Sequence, residues 1–212
     1  MKIVIDGMDG VGKSTLAKLI AKKYNYTYME QPLLKLFGVN LQDENQRNMF
    51  EQILNIIFNK EDIRLKAWLT GLGNIYSLIN NDNENVVIDR NIISNYYWNG
   101  NEETESIFDE ILQLTGFPDM TIILYASTKT RLKRIRHRDK DDKDLIDIDV
   151  LKDGYEKMSK FVRKRNIPYI AINTEGKSAE EVLAEIEQKF NFRNEGKEVK
   201  IEYGDIESSW KL

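Results

Sequence analysis

The stretch of sequence that decides the fold is Gly7-Met8-Asp9-Gly10-Val11-Gly12-Lys13-Ser14-Thr15, a glycine-rich run that ends in Gly-Lys-Ser-Thr. A short apolar run, 2–6, precedes it, and a pattern with helical spacing follows it, so the loop joins a buried strand to a helix. This is the spacing of a phosphate-binding loop, in which backbone N–H groups and the positive end of the helix converge on a polyphosphate. We therefore predict a nucleoside triphosphate site here.

The motif assigns a role to most residues of the loop. Lys13 is predicted to reach the β- and γ-phosphates of ATP, and the hydroxyl of Ser14 is predicted to bind Mg²⁺. The other predicted ATP contacts in the loop are Gly7, Gly10, Val11, Gly12 and Thr15. The alternative, a glycine-rich turn with an incidental lysine, does not account for the complete spacing or for the flanking strand and helix.

Composition narrows the class of protein. A chain of 212 residues with 41% hydrophobic residues can build one core, and the absence of cysteine excludes disulfides and thiolate metal sites. No apolar stretch has the length of a membrane span, and a formal net charge of −4 gives no reason to expect a nucleic-acid polymer as partner. We expect a soluble, cytoplasmic protein that binds neither a membrane nor a nucleic-acid polymer.

Apolar and β-branched runs alternate along the chain with segments of helical spacing. The predicted strands are 2–6, 26–30, 85–89, 119–125 and 168–173. The predicted helical regions are 14–24, 45–80, 102–115, 129–137, 150–165 and 178–190. This alternation predicts an α/β fold of the P-loop NTPase type, a doubly wound five-stranded parallel sheet with helices on both faces, which binds ligands at the carboxyl ends of its strands.

A second group of candidate residues follows the apolar run Val86-Val87-Ile88, which ends in Asp89-Arg90. A carboxylate at a strand end beside the triphosphate loop suits Mg²⁺, which keeps several waters and takes few protein ligands. The planar guanidinium of Arg90 matches two oxygens of a phosphate. A surface Asp–Arg pair that caps a strand is the alternative, but the position at a strand end in a phosphate-binding chain favours a site.

A third group is a run of basic residues in a predicted helix: Arg131, Lys133, Arg134, Arg136 and Arg138. The spacing of Arg131, Arg134 and Arg138 puts three guanidinium groups on one helix face. Phosphoryl transfer depends on positioning and on neutralising the transferring group, which arginines on a flap supply. We predict an arginine-rich flap, or lid; a solvated helix with balanced charges is the alternative.

These motifs together resemble a known family. The residues that carry the resemblance are Gly7-x-Asp9-Gly10-x-Gly12-Lys13-Ser14-Thr15, then Asp89-Arg90-x-x-x-Ser94-Asn95-x-x-Trp98, the arginine-rich flap, and Tyr155 in a helix. They are similar to those of thymidylate kinases, within the wider group that includes deoxynucleoside kinases. The resemblance covers about residues 1–190, which we assign to a P-loop deoxynucleotide kinase domain; residues 191–212 would be a C-terminal appendage of unknown role.

The resemblance implies roles for individual residues. Asp9 would contact the sugar 3′-hydroxyl of the acceptor nucleotide, Arg90 its 5′-phosphate, and Asn95 its base. Trp98 would lie at the 2′-position of the sugar. Further implied substrate contacts are Glu30, Phe58 and Ser94. The implied catalytic residues are Lys13, Asp9, Arg90, Arg134 and Arg138, and Arg131 would be a further ATP contact.

The flap arginines matter because of Gly10. Some members of the family place an arginine at the position of Gly10 in the loop. Here the catalytic charge would have to come from Arg134 and Arg138 instead.

The implied function is that of an ATP- and Mg²⁺-dependent kinase. It would move the γ-phosphoryl group of ATP onto the 5′-phosphate of a deoxynucleoside monophosphate, dTMP or a close pyrimidine relative. The implied partners are these two nucleotides and, by family resemblance, a second copy of the chain in a homodimer.

Two alternatives to this function stay open. Met29-Glu30-Gln31-Pro32 stands where the family usually has Arg-Glu-Pro-Gly, so the choice of substrate is not settled. Glu30 falls where deoxynucleoside kinases place the carboxylate that takes a proton from a 5′-hydroxyl, and it is equally explained as a polar strand end. A non-catalytic nucleotide-sensing module is the other possibility, although it would not need charge at the transferring phosphoryl group.

Overall fold

The computed structural model of the protein describes residues 1–40, 42–59, 62–79, 85–138 and 154–192. Within these ranges five strands form one parallel sheet in the order β2-β3-β1-β4-β5. The strands are β1 (Lys2–Gly7), β2 (Thr27–Met29), β3 (Val86–Asp89), β4 (Met120–Tyr125) and β5 (Tyr169–Asn173). The predicted five-stranded parallel sheet is confirmed, with each strand boundary within one residue of its prediction.

Nine helices cover the sheet in the same described ranges. They are α1 (Lys13–Tyr24), α2 (Pro32–Leu36), α3 (Glu44–Phe58), α4 (Ile63–Ile79), α5 (Ile92–Asn99), α6 (Glu105–Thr115), α7 (Thr128–Arg138), α8 (Gly154–Lys164) and α9 (Ala179–Lys189). The long helical region predicted at 45–80 consists of two helices, α3 and α4. The sequence prediction missed α2 and α5. None of the helices in the described chain combines the length and the apolar content that crossing a membrane requires.

The missed helix α5 matters most, because it begins directly after Asp89-Arg90. Its N-cap is Asn91, whose side chain accepts a hydrogen bond from the backbone N–H of Ile92. Its inward-facing residues include Ser94 and Asn95, which are polar. Polar inward positions hide the apolar period by which a helix is recognised in a sequence.

The register of the sheet sets where chemistry can occur. Ile5 of β1 lies beside Asp89 of β3, and Met29 of β2 lies beside Ile88. The strands are parallel, so their carboxyl ends meet at one edge of the sheet. Asp89, Glu30 and the loop after β1 therefore lie at the same edge.

The end of the described chain packs onto this core. The ring of Phe192 stacks on that of Tyr24 with 4.6 Å between centroids, and its carbonyl accepts a hydrogen bond from the Tyr26 hydroxyl. Residues 193–212, most of the predicted appendage, lie outside the described residues. The domain division at residue 190 stays a prediction.

An ionic cluster joins α5, α6 and the segment after α8. Glu105 accepts hydrogen bonds from the Tyr96 hydroxyl, from Lys164 Nζ at 2.9 Å, and from the guanidinium of Arg165. Burial works to raise the pKa of Glu105, but the hydrogen bonds from Tyr96, Lys164 and Arg165 outweigh it and lower the pKa to about 2. Because the folded value lies below the ordinary value of 4.5, this cluster stabilises the fold above pH 4.5.

We expect Glu105→Gln to lower the free energy of unfolding by about 1–2 kcal/mol at pH 7, because Lys164 and Arg165 lose their charge-assisted bonds to the Glu105 carboxylate. The difference from wild type should shrink as the pH falls from 4.5 towards 2, where the wild-type carboxyl becomes protonated. Urea unfolding at pH 7 and pH 3 measures both values. Glu110→Gln, an exposed position on the same helix, is the control; an equal loss for Glu105→Gln at the two pH values would contradict the assignment.

Candidate active site

The loop between β1 and α1 has the backbone that its glycines permit. Gly10 and Gly12 have φ values of 80° and 94°, which residues with a Cβ rarely adopt. A Cβ on Gly10 would lie 2.7 Å from the carbonyl oxygen of Arg131. Helix α7 therefore rests directly on the loop at Gly10, and a larger residue at this position, arginine included, would have to displace it.

A cavity of about 530 Å³ opens at the loop, which is within the range of nucleotide-sized sites. Its wall includes most of the predicted ATP contacts, namely Gly10, Val11, Gly12, Lys13, Ser14 and Thr15. Asp9, Arg90, Arg134 and Arg138 also line it, as do Thr174, Lys177, Ser178, Ala179 and Val182. The structure thus brings together the loop, the strand end after β3 and the arginine helix, as the sequence predicts.

Lys13 lies under the loop with 5% of its surface exposed. Its Nζ donates to the carbonyl of Met8 at 2.7 Å and lies 3.6 Å from Asp9 Oδ1. Burial, together with the charge of Arg90, lowers the pKa of Lys13 to about 8. A bound polyphosphate would favour the charged ammonium, so the site is arranged to receive an anion.

Asp9 and Arg90 form an ion pair across the ends of β1 and β3, from Arg90 Nη2 to Asp9 Oδ1. Arg90 has a φ of 72°, in the left-handed region that a non-glycine residue rarely adopts, and its backbone N–H donates to Ile5 O at 3.0 Å. Burial works to raise the pKa of Asp9, but the charges of Lys13, Arg90 and Arg131 lower it. Asp9 is therefore an ionised group that aims the Arg90 side chain at the cavity.

The three arginines that the helical period puts on one face of α7, Arg131, Arg134 and Arg138, do not share one environment. Arg134 donates from Nη1 to Thr174 Oγ1 at 3.0 Å and from Nη2 to Thr174 O at 2.8 Å, and Arg138 lines the cavity beside it. Arg131 is 1% exposed and is not part of the cavity wall. Its burial corrects the expectation that all three guanidinium groups face the phosphates, because α7 meets the loop at Arg131. Of the predicted flap only α7 is described; residues 139–153 lie outside the described chain.

The predicted acceptor contacts on α5 hold protein partners in this structure. Ser94 donates its hydroxyl to Asp6. The amide of Asn95 donates to Ala67 O at 3.1 Å and to Asn74 Oδ1 at 2.9 Å. Trp98 is 52% exposed. Phe58 ends α3, and its side chain lies outside the described residues, so contact of these residues with an acceptor stays a prediction.

Two polar side chains at this edge of the sheet, Asp6 and Tyr28, have no individual role in the sequence prediction. Asp6 is fully buried and accepts from Ser94 and from the backbone N–H of Asn91, while its Oδ2 has no hydrogen-bond partner. Burial raises the pKa of Asp6. Tyr28 places its hydroxyl 3.1 Å from Glu30 Oε2 and 3.2 Å from Asp89 Oδ2. The period of two along a strand puts positions 28 and 30 on one face, but the contact with Asp89 depends on the pairing of β2 with β3.

A parallel sheet, a glycine-rich loop that leads into a helix, and arginines facing the same cavity define a P-loop phosphotransferase. Comparison with known proteins narrows this class. The family model described as thymidylate kinase matches residues 5–186. The chain therefore belongs to the thymidylate kinase family, and it is a nucleoside monophosphate kinase by that membership.

Individual relatives agree with the family. A probable thymidylate kinase of Methanococcus vannielii is 26% identical over 193 aligned positions, in a match that covers 87% of this chain and 92% of the relative. The thymidylate kinase of Nautilia profundicola is 27% identical over 223 aligned positions, gaps included, in a match that covers 98% of this chain and 100% of the relative.

Solved structures share the fold. A deoxyadenosine kinase from M. mycoides with dCMP bound has a TM-score of 0.62 at 20% identity, covering 89% of this chain and 98% of that one. A thymidylate kinase from Ehrlichia chaffeensis has a TM-score of 0.52 at 19% identity, covering 89% and 97%.

Proposed function

We propose that the protein transfers the γ-phosphoryl group of ATP to the 5′-phosphate of dTMP or of a closely related deoxypyrimidine monophosphate. The observation that carries this proposal is a cavity lined by two cationic side chains, Lys13 and Arg90, on either side of Asp9. Lys13 and the N-terminus of α1 suit the phosphates of the donor, and Arg90 at the end of β3 suits the phosphate of the acceptor. Family membership supports dTMP as the acceptor.

The residues of the cavity suit this reaction because phosphoryl transfer needs positioning and charge neutralisation more than covalent help. Arg90 uses one guanidinium nitrogen on Asp9 and keeps donors for the acceptor's phosphate. Arg134 and Arg138 would neutralise the transferring group. The attacking phosphate oxygen is already a nucleophile at neutral pH, so the reaction requires no general base.

We propose that ATP enters with Mg²⁺. Among the described residues no group of three or more acidic, histidine or cysteine side chains is arranged to hold a metal ion. Mg²⁺ on a nucleotide needs only one or two protein oxygens beside phosphates and waters. Ser14 lines the cavity. Asp89 Oδ1 is buried without a hydrogen-bond partner, and a water bound to the ion would supply that partner. Bound there, the ion would offset charge on the β- and γ-phosphates.

The alternative is a deoxynucleoside kinase that phosphorylates a 5′-hydroxyl. One observation favours it: Glu30 lies at the active edge of the sheet, joined to Asp89 through the Tyr28 hydroxyl. A hydroxyl acceptor needs a base in that position, whereas a monophosphate acceptor does not. The role of Glu30 therefore separates the two functions.

We also propose a homodimer in the cytoplasm. Helix α3 exposes Met49, Ile53 and Ile56, which the helical period puts on one face. Helix α4 exposes Leu65, Trp68 and Leu72 with the same kind of spacing. Two apolar stripes on consecutive helices favour burial against a second copy of the chain. The absence of cysteine fits a reducing compartment.

The acceptor is identified by measuring ATP consumption with each deoxynucleoside and each monophosphate, for wild type and for Glu30→Gln. We expect dTMP to be the best acceptor and the substitution to leave its turnover within about tenfold of wild type, below the usual contribution of a general base. A nucleoside as best acceptor, with a loss of about 10²–10⁴-fold in Glu30→Gln, would instead establish the nucleoside kinase. If none of the deoxynucleosides or monophosphates supports ATP consumption, both functions are contradicted.

The dimer is tested at Ile56, which is 65% exposed. Wild type should show about twice the chain mass of 24.8 kDa by light scattering, and Ile56→Glu should show the mass of one chain, since a carboxylate cannot be buried in an apolar interface without a partner. Asn55→Glu, exposed on another face of α3, should keep the dimer mass. A wild-type mass of 24.8 kDa at micromolar concentration would refute the dimer.

A further inference from the structure

Arg131 is a buried cation in the first turn of α7 that the reaction outlined above does not use. Its side chain is 1% exposed and is among the largest fully buried side chains described. Its Nε donates to the carbonyl of Asp9 at 2.7 Å, and its Nη2 is buried without a hydrogen-bond partner. Burying a cation and leaving one of its N–H groups unpaired costs free energy, and the attraction of Asp9 offsets part of that cost.

The loop carbonyls show what Arg131 contributes. Met8 O accepts from Lys13 at 2.7 Å, Asp9 O accepts from Arg131, and the carbonyls of Gly10 and Val11 each lie 3.4 Å from Arg134 Nη1. Four consecutive carbonyls thus face cationic side chains. The C=O and N–H of a planar peptide unit point in opposite directions, so holding the carbonyls fixes where the loop N–H groups point.

Arg131 also marks the place where α7 meets the loop. A Cβ on Gly10 would lie 3.1 Å from the Cα of Arg131, so the two backbones are almost in contact. Arg134 and Arg138 follow Arg131 along the same helix at about one and two turns. Any change in how α7 packs on the loop at Arg131 therefore moves both Arg134 and Arg138.

We propose that Arg131 is a positioning residue rather than a ligand of ATP. It lies outside the cavity wall, binds the Asp9 carbonyl and fixes the packing of α7 on the loop. The loop N–H groups, Arg134 and Arg138 are then in place before nucleotide binds. The catalytic part of this inference rests on the proposed function. The ordering of the loop by Arg131 is expected in the protein without nucleotide and is independent of the reaction.

The experiment compares Arg131→Met with Arg136→Met, an exposed position on the same helix. Hydrogen exchange by mass spectrometry, without nucleotide, should show faster exchange of the loop amides at 9–12 in Arg131→Met alone. With the best acceptor, its kcat should fall by about 10²-fold, as expected for a misplaced catalytic group. Its thermal midpoint should be somewhat lower than that of wild type, because the Asp9 carbonyl loses its hydrogen bond and the Asp9 carboxylate loses a nearby cation, so kcat is measured well below that midpoint. Arg131→Lys, which keeps the charge, should recover part of kcat.

Three results would overturn the proposal. Unchanged loop exchange combined with weaker ATP binding in Arg131→Met would make Arg131 a phosphate ligand. A lower thermal midpoint with wild-type kcat would make its role structural. Unchanged loop exchange and unchanged kcat would remove any role. Because hydrogen exchange needs no substrate, this arm decides the positioning role even where the wild type phosphorylates no acceptor, an outcome that refutes the proposed function alone.

Discussion

The ion pair between Asp9 and Arg90 is the interaction on which the site depends. It joins the phosphate-binding loop to the end of β3, and it exists because the parallel register puts Ile5 beside Asp89. Arg90 adopts a φ of 72° at this point, a conformation that costs a non-glycine residue about 1 kcal/mol or more. The pair and the Arg90 N–H bond to Ile5 hold that conformation, so one carboxylate ties the strand end after β3 to the loop after β1.

Much of the fold can be read from the sequence because the central strands are buried on both faces. Their continuous apolar runs and the loop spacing leave few alternatives to a parallel P-loop sheet. Helix α5 could not be found in this way, since its inward residues Ser94, Asn95 and Asn99 are polar and bond to other buried groups. The helix α2 has five residues, which is too short for a period to be recognised.

The position of a residue at the cavity was predictable where a motif or a strand end decides it, as for Lys13 and Arg90, which both line the cavity. It was not predictable where packing decides. The helical period puts Arg131 on a face with Arg134 and Arg138, but it does not reveal that α7 touches the loop at Gly10 and buries Arg131 there. Tyr28 was missed for a related reason: its importance comes from Asp89 on the neighbouring strand, and strand pairing is not contained in local sequence.

The central claim is that Arg90 receives the phosphate of the acceptor while Lys13 serves the donor. Titration calorimetry of dTMP, thymidine and ATP into wild type and Arg90→Ala tests it most directly, because thymidine lacks only the phosphate. We expect dTMP binding to weaken by about tenfold to a hundredfold, the value of a charge-assisted pair of about 1.5–3 kcal/mol, while thymidine and ATP binding stay near wild type. Unchanged dTMP binding with weakened ATP binding would contradict it.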